Sequence, residues 1–259
     1  HVVKVLEPIW TEKTETASRL RGRIEHVLNY ARVRGYRTGD NPARWKGNLD
    51  AVLPQPAKVK GGAHFKAVPF ADVPSFMADL RQRQGISARA LEFTILTAAR
   101  SGEVRGAVWS EIDFENRLWV IPAERMKAGK EHRVPLTDDA VELLRSLPRL
   151  DNSDFVFPAA RGGKLSDMSL SAVLKRMEVS ATVHGFRSSF RDWTAERTAY
   201  PHEVIEMSLA HAIGDKVEKA YRRGDLLQKR RNLMGDWEQF CAGNADAAGG
   251  EVVSMVGAR

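Results

Sequence analysis

The first regular pattern of the chain is an amphipathic repeat in residues 16–36, TASRLRGRIEHVLNYARVRGY. Apolar residues recur there every three or four positions, as on one face of a helix: Leu20, Ile24, Val27, Leu28 and Ala31. Another face of the same predicted helix carries Arg19, Arg23, His26 and Tyr30. A basic face of this kind is either a solvated surface or a surface laid on phosphates, and this segment alone favours neither.

The helical pattern stops in residues 50–69, DAVLPQPAKVKGGAHFKAVP, where three prolines and two adjacent glycines occur. Proline and glycine at this density interrupt regular structure, so we predict a linker between two bodies. The predicted organisation is a partial helical domain at residues 1–58, a linker at 59–65, a larger domain at 66–241 and a flexible tail at 242–259. The tail is predicted from its small, Gly/Ala-rich composition.

The larger domain is predicted to be mainly α-helical with one small antiparallel β-sheet. Strand-forming residues occur at 118–121, and the following KAGK at 127–130 suits a hairpin with Gly129 in its turn. Thr137 is placed to cap a helix that has two aspartates in its first turn. The apolar periodicity and the turn residues predict further helices at 73–84, 87–100, 167–178, 184–197, 202–209 and 225–241.

The charge of the chain points to a polyanionic partner, because the formal net charge is +7 and the isoelectric point is near 9.6. Residues 1–60 contain 12 Lys and Arg against 6 Asp and Glu, whereas the remaining residues contain 28 against 27. No apolar run is long enough to span a bilayer, no secretory signal is recognisable, and Cys241 is the single cysteine. We therefore expect a soluble, cytoplasmic protein without a membrane partner.

Several polar residues are unlike surface filler, although each has an ordinary structural explanation when taken alone. Glu103 follows Arg100 by three residues and can hold its guanidinium in an ion pair at a helix end. His184 and Arg187 share a helix face and can converge on one anion. Lys127 precedes the hairpin turn, and His211 follows an apolar helix, where a partly buried histidine is common.

Taken together, these residues and Tyr221 form the set needed to break a phosphodiester without a metal. A phenol has a pKa near 10, so Tyr221 needs a neighbouring base or cationic surroundings to attack phosphorus at neutral pH. Two arginines suit the negative charge that develops on the nonbridging oxygens. A lysine can protonate the departing 5′ oxygen.

Four segments in this order, TAARSGEV, ERMKAGKEHRVPL, HGFRSSFRDW and LAHAIGDKVEKAYRRGDLLQKRRNLM, resemble the catalytic domain of tyrosine recombinases. The resemblance runs from about residue 66 to residue 241 and is closest to the phage-type integrases of prophages and genomic islands. It implies a tyrosine recombinase catalytic fold, preceded at residues 1–58 by part of a core-binding domain. The roles it implies are phosphate-clamping arginines at Arg100 and Arg187, a supporting acid at Glu103, a general acid at Lys127, a histidine that assists proton transfer at His184, a phosphate-contacting histidine at His211, and a nucleophile at Tyr221.

The resemblance implies site-specific DNA recombination through a 3′-phosphotyrosyl intermediate, with no metal, ATP or other cofactor. The implied partners are double-stranded DNA of an attachment-site core, three further copies of the chain in a tetramer on DNA, an excisionase and a host DNA-bending protein. The implied location is the cytoplasm of a bacterial cell, in association with the nucleoid. Implied DNA contacts are Arg19, Arg23, Arg32 and Lys130, and Lys130 also competes with Lys127 for the role of general acid.

Other function classes stay open at this point. A type IB topoisomerase uses the same chemistry to relax supercoils, and a relative without activity would only bind DNA. A metal-dependent nuclease would need clustered ligands, which the spacing of His184 and His211 does not supply. The resemblance does not extend to the start of the core-binding domain or to the arm-site-binding domain that such integrases have. We therefore expect a fragment of a longer protein.

Two details of the motif matter for the structure. Ala210 stands where relatives often have glycine, directly before the second histidine. The segment after Tyr221 is amphipathic and is predicted either to pack on its own domain or to dock on a neighbouring protomer. The apolar residues that carry this prediction are Leu226, Leu227, Leu233, Met234 and Trp237.

Overall fold

The computed structural model of the protein describes residues 1–59, 66–211 and 224–244. The chain divides into two compact units, His1–His64 and Phe65–Arg259. Residues 60–65 of the predicted linker and residues 245–259 of the predicted tail lie outside the described residues. Within the described part of the chain, no helix is long and apolar enough to cross a membrane.

In its described residues the N-terminal unit contains the α-helices α1 (Val2–Trp10), α2 (Thr14–Val33) and α3 (Pro56–Val59), and a 3-10 helix at Leu49–Ala51. The helix predicted at residues 16–36 is present as α2, which begins two residues earlier and ends three residues earlier. Its buried side runs through Thr14 and Ala17. Val27, on the predicted apolar face, is 62% exposed and so is not part of the buried side. The small core of the unit is formed by Leu6, Trp10, Ala17, Leu49 and Leu53.

The second unit is mainly helical, as predicted. In the described residues of this unit the α-helices are α4 (Val73–Arg81), α5 (Ile86–Leu96), α6 (Ser101–Arg105), α7 (Asp138–Ser146), α8 (Ser169–Arg176), α9 (Gly185–Arg197), α10 (His202–Ser208) and α11 (Leu227–Cys241).

A small antiparallel sheet accompanies these helices and confirms the predicted fold class. Its strands are β1 (Ile112–Asp113), β2 (Leu118–Ile121) and β3 (His132–Pro135), in the order β1-β2-β3. Strands β2 and β3 pair with Ile121 opposite His132. The connection between them is residues 122–131, which is longer than the predicted KAGK turn because a 3-10 turn, Ala123–Arg125, follows β2 directly. Gly129 has the predicted turn conformation, with φ of 61°.

Helix α5 forms the centre of the second unit and is buried along most of its length. The ring of Phe93 lies 5.4 Å from the rings of both Trp119 and Phe157, which joins the sheet to the helices. On another side, the Trp237 indole of α11 donates a hydrogen bond of 2.9 Å to the Ile95 carbonyl. Because Leu233, Met234 and Trp237 are almost fully buried, α11 packs on its own unit, the first of the two predicted alternatives.

The prediction of one helix over residues 87–100 was wrong at its C-terminal end. Helix α5 ends at Leu96, Ala98 has a left-handed φ of 49°, and Arg100 is extended before α6 begins. The break is stabilised because the Arg100 backbone N–H donates to a Glu103 carboxylate oxygen at 2.9 Å, as in a capping box. Apolar periodicity continues across this break, so the pattern alone could not locate it.

Candidate active site

The helix break places Arg100 at the start of α6, where Glu103 holds it from two directions. One Glu103 oxygen accepts the backbone N–H of Arg100, and the other lies 2.8 Å from its guanidinium. The Glu103 side chain is 6% exposed and that of Arg100 is 26% exposed. The ion pair predicted from the sequence is therefore present, and it leaves part of the guanidinium accessible to solvent.

Glu103 is itself supported by an arginine that sequence reasoning did not single out. The Arg125 guanidinium donates to the Glu103 backbone carbonyl and also pairs with Glu111. The same Glu111 oxygen, Oε2, also accepts a hydrogen bond of 2.9 Å from the Trp119 indole, which ties Glu111 to the sheet. This network connects the start of α6 to β2.

Arg187 enters the same region from α9 and is almost completely buried, at 5% exposure. It donates to the Ala98 carbonyl at the helix break and to the Leu209 carbonyl, the latter at 2.6 Å. Burial and the neighbouring Arg100 lower the pKa of Arg187 to about 10, so it remains a cation at neutral pH.

Both arginines converge on the chain just after α10. The Arg100 guanidinium lies 3.4 Å from the Leu209 carbonyl oxygen and 3.2 Å from that of Ala210, and Arg187 shares the first of these acceptors. Ala210 has a left-handed φ of 50°, which turns the chain here and is the conformation that glycine adopts most readily. That conformation gives a physical reason for glycine to be frequent at this position.

His211 follows this turn and completes a contact with Arg187. Its Nε2 lies 3.0 Å from the Arg187 guanidinium, and its Nδ1 lies 2.8 Å from a carboxylate oxygen of Glu206. The His211 side chain keeps 37% exposure. Arg100, Arg187 and His211, which lie far apart in the sequence, are therefore brought to one place.

His184 directly precedes α9 and belongs to the same electrostatic cluster. Partial burial lowers its pKa below the ordinary histidine value, and the positive charges of Arg187 and Arg100 act in the same direction. A histidine with a lowered pKa is mainly neutral at pH 7 and can accept a proton there.

The position of α9 depends on Gly185, the glycine that follows His184. A Cβ on Gly185 would lie 2.3 Å from the Lys66 carbonyl oxygen and 2.8 Å from the Ala67 Cα atom. The Ser189 hydroxyl donates to the Val68 carbonyl. The absence of a side chain at Gly185 therefore allows the start of α9 to lie directly on the backbone of residues 66–68.

The two candidate general acids, Lys127 and Lys130, are exposed in the connection between β2 and β3. At the end of this connection stands His132, which sequence reasoning missed although it lies within the quoted motif. Burial, followed by the charges of Arg230, Arg100 and Arg187, lowers the pKa of His132 to about 3, and a hydrogen bond with the Ser208 backbone opposes this shift. His132 is thus a neutral residue close to the cation cluster, by which we mean Arg100, Arg187 and Arg230.

The remaining predicted residues belong to the N-terminal unit or lie outside the described residues. Tyr221, the predicted nucleophile, lies outside the described residues. Arg19, Arg23 and Arg32 are exposed on α2, where Arg19 pairs with Glu15 at 2.8 Å. In the described ranges 1–59, 66–211 and 224–244, no group of three or more His, Cys, Asp or Glu side chains could hold a metal ion.

A comparison with protein families decides the identity of the fold. The model of the phage integrase family matches residues 67–226, and that of the phage integrase central domain matches residues 1–48. The chain belongs to the phage integrase family. The convergence of Arg100, Arg187 and His211 is therefore a feature of an integrase-family domain.

The curated relatives of this integrase-family chain include prophage integrases of Escherichia coli K12. It is 37% identical to IntS over 238 residues, which cover 87% of this chain and 58% of IntS. It is 32% identical to IntA over 244 residues, which cover 91% of this chain and 57% of IntA. The chain thus spans less than three-fifths of the length of these relatives.

Solved integrase structures share its fold. A lambda integrase dimer bound to a core site matches with a TM-score of 0.59 at 18% identity, over 86% of this chain and 78% of the other. The Tn1549 transposon integrase in complex with circular intermediate DNA matches with a TM-score of 0.55 at 14% identity, over 85% and 80% of the two chains. These likenesses confirm the predicted tyrosine recombinase fold.

Proposed function

We propose that this chain is the DNA-cleaving part of a site-specific recombinase, which cuts and rejoins strands through a 3′-phosphotyrosyl intermediate at Tyr221. The observation that carries the proposal is the convergence of Arg100, Arg187 and His211 around the turn at Leu209 and Ala210. Two arginines in one place match the negative charge of a phosphodiester under attack, and His211 lies beside them.

The arginines supply fixed positive charge for the transition state. Arg187 is held by the carbonyls of Ala98 and Leu209, and Arg100 is held by Glu103. Groups that are already oriented need no reorganisation when negative charge develops on the nonbridging oxygens. His184, with its lowered pKa, is suited to accept the phenolic proton as the tyrosine attacks phosphorus.

The other tyrosines support the choice of Tyr221. The chain has four tyrosines, and two of them, Tyr30 and Tyr36, are exposed on the N-terminal unit. Tyr200 donates to Asp236 at 2.6 Å, and burial together with this carboxylate raises its pKa. A phenol in these surroundings resists ionisation, which is unfavourable for a nucleophile.

The proposal extends to the domains and partners. Residues 1–58 would bind the duplex as part of a core-binding domain, with Arg19, Arg23 and Arg32 on phosphates, and residues 66–241 would form the catalytic domain. A lambda integrase tetramer bound to a Holliday junction shares this fold, with a TM-score of 0.58, which supports a tetramer on DNA as the active assembly. An excisionase and a host DNA-bending protein are the further partners we propose.

The test is covalent trapping in EDTA with nicked duplexes that cover candidate core sites. Cleavage beside the nick releases a short fragment, so the tyrosyl adduct cannot be reversed. We expect a denaturation-resistant adduct that Tyr221→Phe abolishes, with Tyr200→Phe as the matched control that keeps it. An adduct that survives Tyr221→Phe, or the absence of any adduct from wild-type protein that binds the duplex, would contradict the proposal.

The same assay distinguishes Lys127 from Lys130, with Lys127 as the proposed general acid. A substrate with sulfur in place of the bridging 5′ oxygen has a leaving group that departs without a proton donor, because a thiol is far more acidic than an alcohol. We expect Lys127→Ala to form the adduct slowly on the ordinary oxygen substrate and at close to the wild-type rate on the sulfur substrate. Rescue of Lys130→Ala instead would assign the role to Lys130.

A further inference from the structure

Glu206 anchors His211 through both the backbone and the side chain. It lies in α10 and is 8% exposed. The backbone N–H of His211 donates to the Glu206 carbonyl at 2.9 Å, and the Nδ1 of its ring lies 2.8 Å from the carboxylate. The histidine is therefore held by one residue on one side of its ring.

The opposite side of the His211 ring determines which nitrogen carries the proton. Nε2 lies 3.0 Å from the Arg187 guanidinium, which has only donors to offer. Nε2 must then act as the acceptor, and the proton of the neutral ring is on Nδ1, where it is donated to Glu206. The contacts thus select one tautomer of the neutral imidazole.

The second oxygen of the Glu206 carboxylate lies near an arginine and a histidine. Arg191 lies 3.2 Å from it and His202 lies 3.7 Å from it. The Glu206 carboxylate therefore lies between the Arg191 guanidinium and the His211 ring, and it contacts Arg187 only through His211.

We propose that Glu206 is a positioning residue for strand cleavage, which fixes the Nδ1–H tautomer of His211 and keeps its Nε2 directed to the side of Arg187. This inference rests on the proposed function. Without the carboxylate, the other tautomer would direct an N–H towards a guanidinium, so the ring would turn or move away. The loss should affect the chemical step more than DNA binding, because Glu206 is buried behind His211.

The first test reads the tautomer directly and does not depend on activity. The whole chain, labelled with ¹⁵N at histidine, is studied by NMR at neutral pH, and the His211 signals are assigned by their loss in His211→Gln. We expect a protonated Nδ1 and an unprotonated Nε2 in the wild type, and a shift towards protonated Nε2 in Glu206→Gln. A wild-type ring protonated at Nε2 alone would overturn the proposal.

The second test measures single-turnover adduct formation on the nicked duplex with saturating protein. Glu206→Gln should be slower on the order of tenfold to a hundredfold, the usual loss when a carboxylate that orients a functional histidine is removed. Glu203→Gln, three residues earlier in α10, makes the same change of charge and should react at the wild-type rate. DNA affinity should be the same in both variants.

Glu206→Asp separates positioning from folding, because it keeps the charge and shortens the side chain by one methylene. We expect an intermediate cleavage rate and the wild-type tautomer. Equal rates for Glu206→Gln and Glu203→Gln would refute the role of Glu206. If the wild type forms no adduct, the proposed function fails, while the NMR measurement still decides whether Glu206 sets the tautomer.

Discussion

Two groups of arginines in this protein are built in opposite ways. On α2 of the N-terminal unit, Arg19, Arg23 and Arg32 are exposed, and the Arg19 side chain retains 73% of its surface. In the second unit, Arg187 is 5% exposed and is held by two backbone carbonyls. The first group lies on an exposed helix face, whereas Arg187 in the second is held in place by protein atoms.

The difference shows that the net charge of a segment reveals the first group of arginines but not the second. Residues 1–60 hold a large excess of Lys and Arg, while the rest of the chain is nearly balanced. The balanced part still contains a concentrated cation cluster, because carboxylates such as Glu103 and Glu206 and uncharged carbonyls compensate it locally. An even charge count therefore does not exclude a phosphate site.

The largest difference between the two groups should appear when arginine is replaced by lysine. Arg187→Lys keeps the charge but loses the planar fork that reaches the carbonyls of Ala98 and Leu209. We expect adduct formation to slow by about 10²–10³-fold, the usual loss for a preorganised transition-state donor. The measurement is single-turnover cleavage at saturating protein.

Arg23→Lys is the matched control on the exposed group, because the lysine keeps the charge on a solvated helix face. Its cleavage rate should stay within about twofold of the wild type, since a simple phosphate contact needs only a positive charge. Comparable losses for Arg187→Lys and Arg23→Lys would remove the distinction between fixed and adaptable arginines.

The fixed group also depends on how closely α9 approaches the backbone of residues 66–68. Gly185→Ala would bring a methyl group to 2.3 Å from the Lys66 carbonyl oxygen unless the helix moves. We expect the free energy of unfolding to fall by about 1–3 kcal/mol, as in other overpacked sites. Gly22→Ala offers a control without a clash, because nothing lies within 4 Å of the added Cβ. Urea unfolding that shows equal stability for both variants would contradict this packing.

Lowering the pH should decrease the free energy of unfolding through His132, whose pKa is about 3 in the folded protein. The ordinary value for an unfolded histidine is about 6.5, so below that pH the unfolded state takes up a proton that the folded state refuses. The stability contributed by neutral His132 is present above pH 6.5 and is lost as the pH falls towards 3. His132→Gln should therefore gain about 2 kcal/mol relative to the wild type between pH 7 and pH 5.

Urea unfolding of both proteins at the two pH values measures this difference, and titrations common to both cancel. His26→Gln, on the exposed face of α2, should show no such gain. Parallel pH profiles for the wild type and His132→Gln would mean that His132 titrates as an ordinary surface histidine.

The smallest effect belongs to a single exposed arginine. Arg23→Gln should lower DNA affinity modestly and reduce the slope of log K against log salt by about 0.9, the contribution of one phosphate contact. Its cleavage rate at saturation should not change. Arg83→Gln, at an exposed position of the second unit, removes the same charge and serves as the control. An unchanged salt slope for Arg23→Gln would place α2 away from the phosphates.

The sequence predicted the helices and the small sheet because apolar periodicity reports which faces are buried. It predicted the contact of Arg100 with Glu103 because the two are three residues apart. It could not predict the break at Ala98, since alanine in a left-handed conformation has no local signal. Glu206 and His132 were missed for a related reason, because their contacts with His211 and with the cation cluster depend on how separate segments fold together.

The left-handed turns at Ala98 and Ala210 have a consequence for genetics. Main-chain oxygens at or beside these turns, those of Ala98 and Leu209, hold Arg187, and a carbonyl is present whatever side chain the gene encodes. An alanine scan therefore cannot test these acceptors, because Ala98 is already alanine and shortening the buried Leu209 side chain leaves its carbonyl in place. Exchange of the peptide bonds for esters, which weakens the carbonyl as an acceptor, would reveal partners that no codon change can remove.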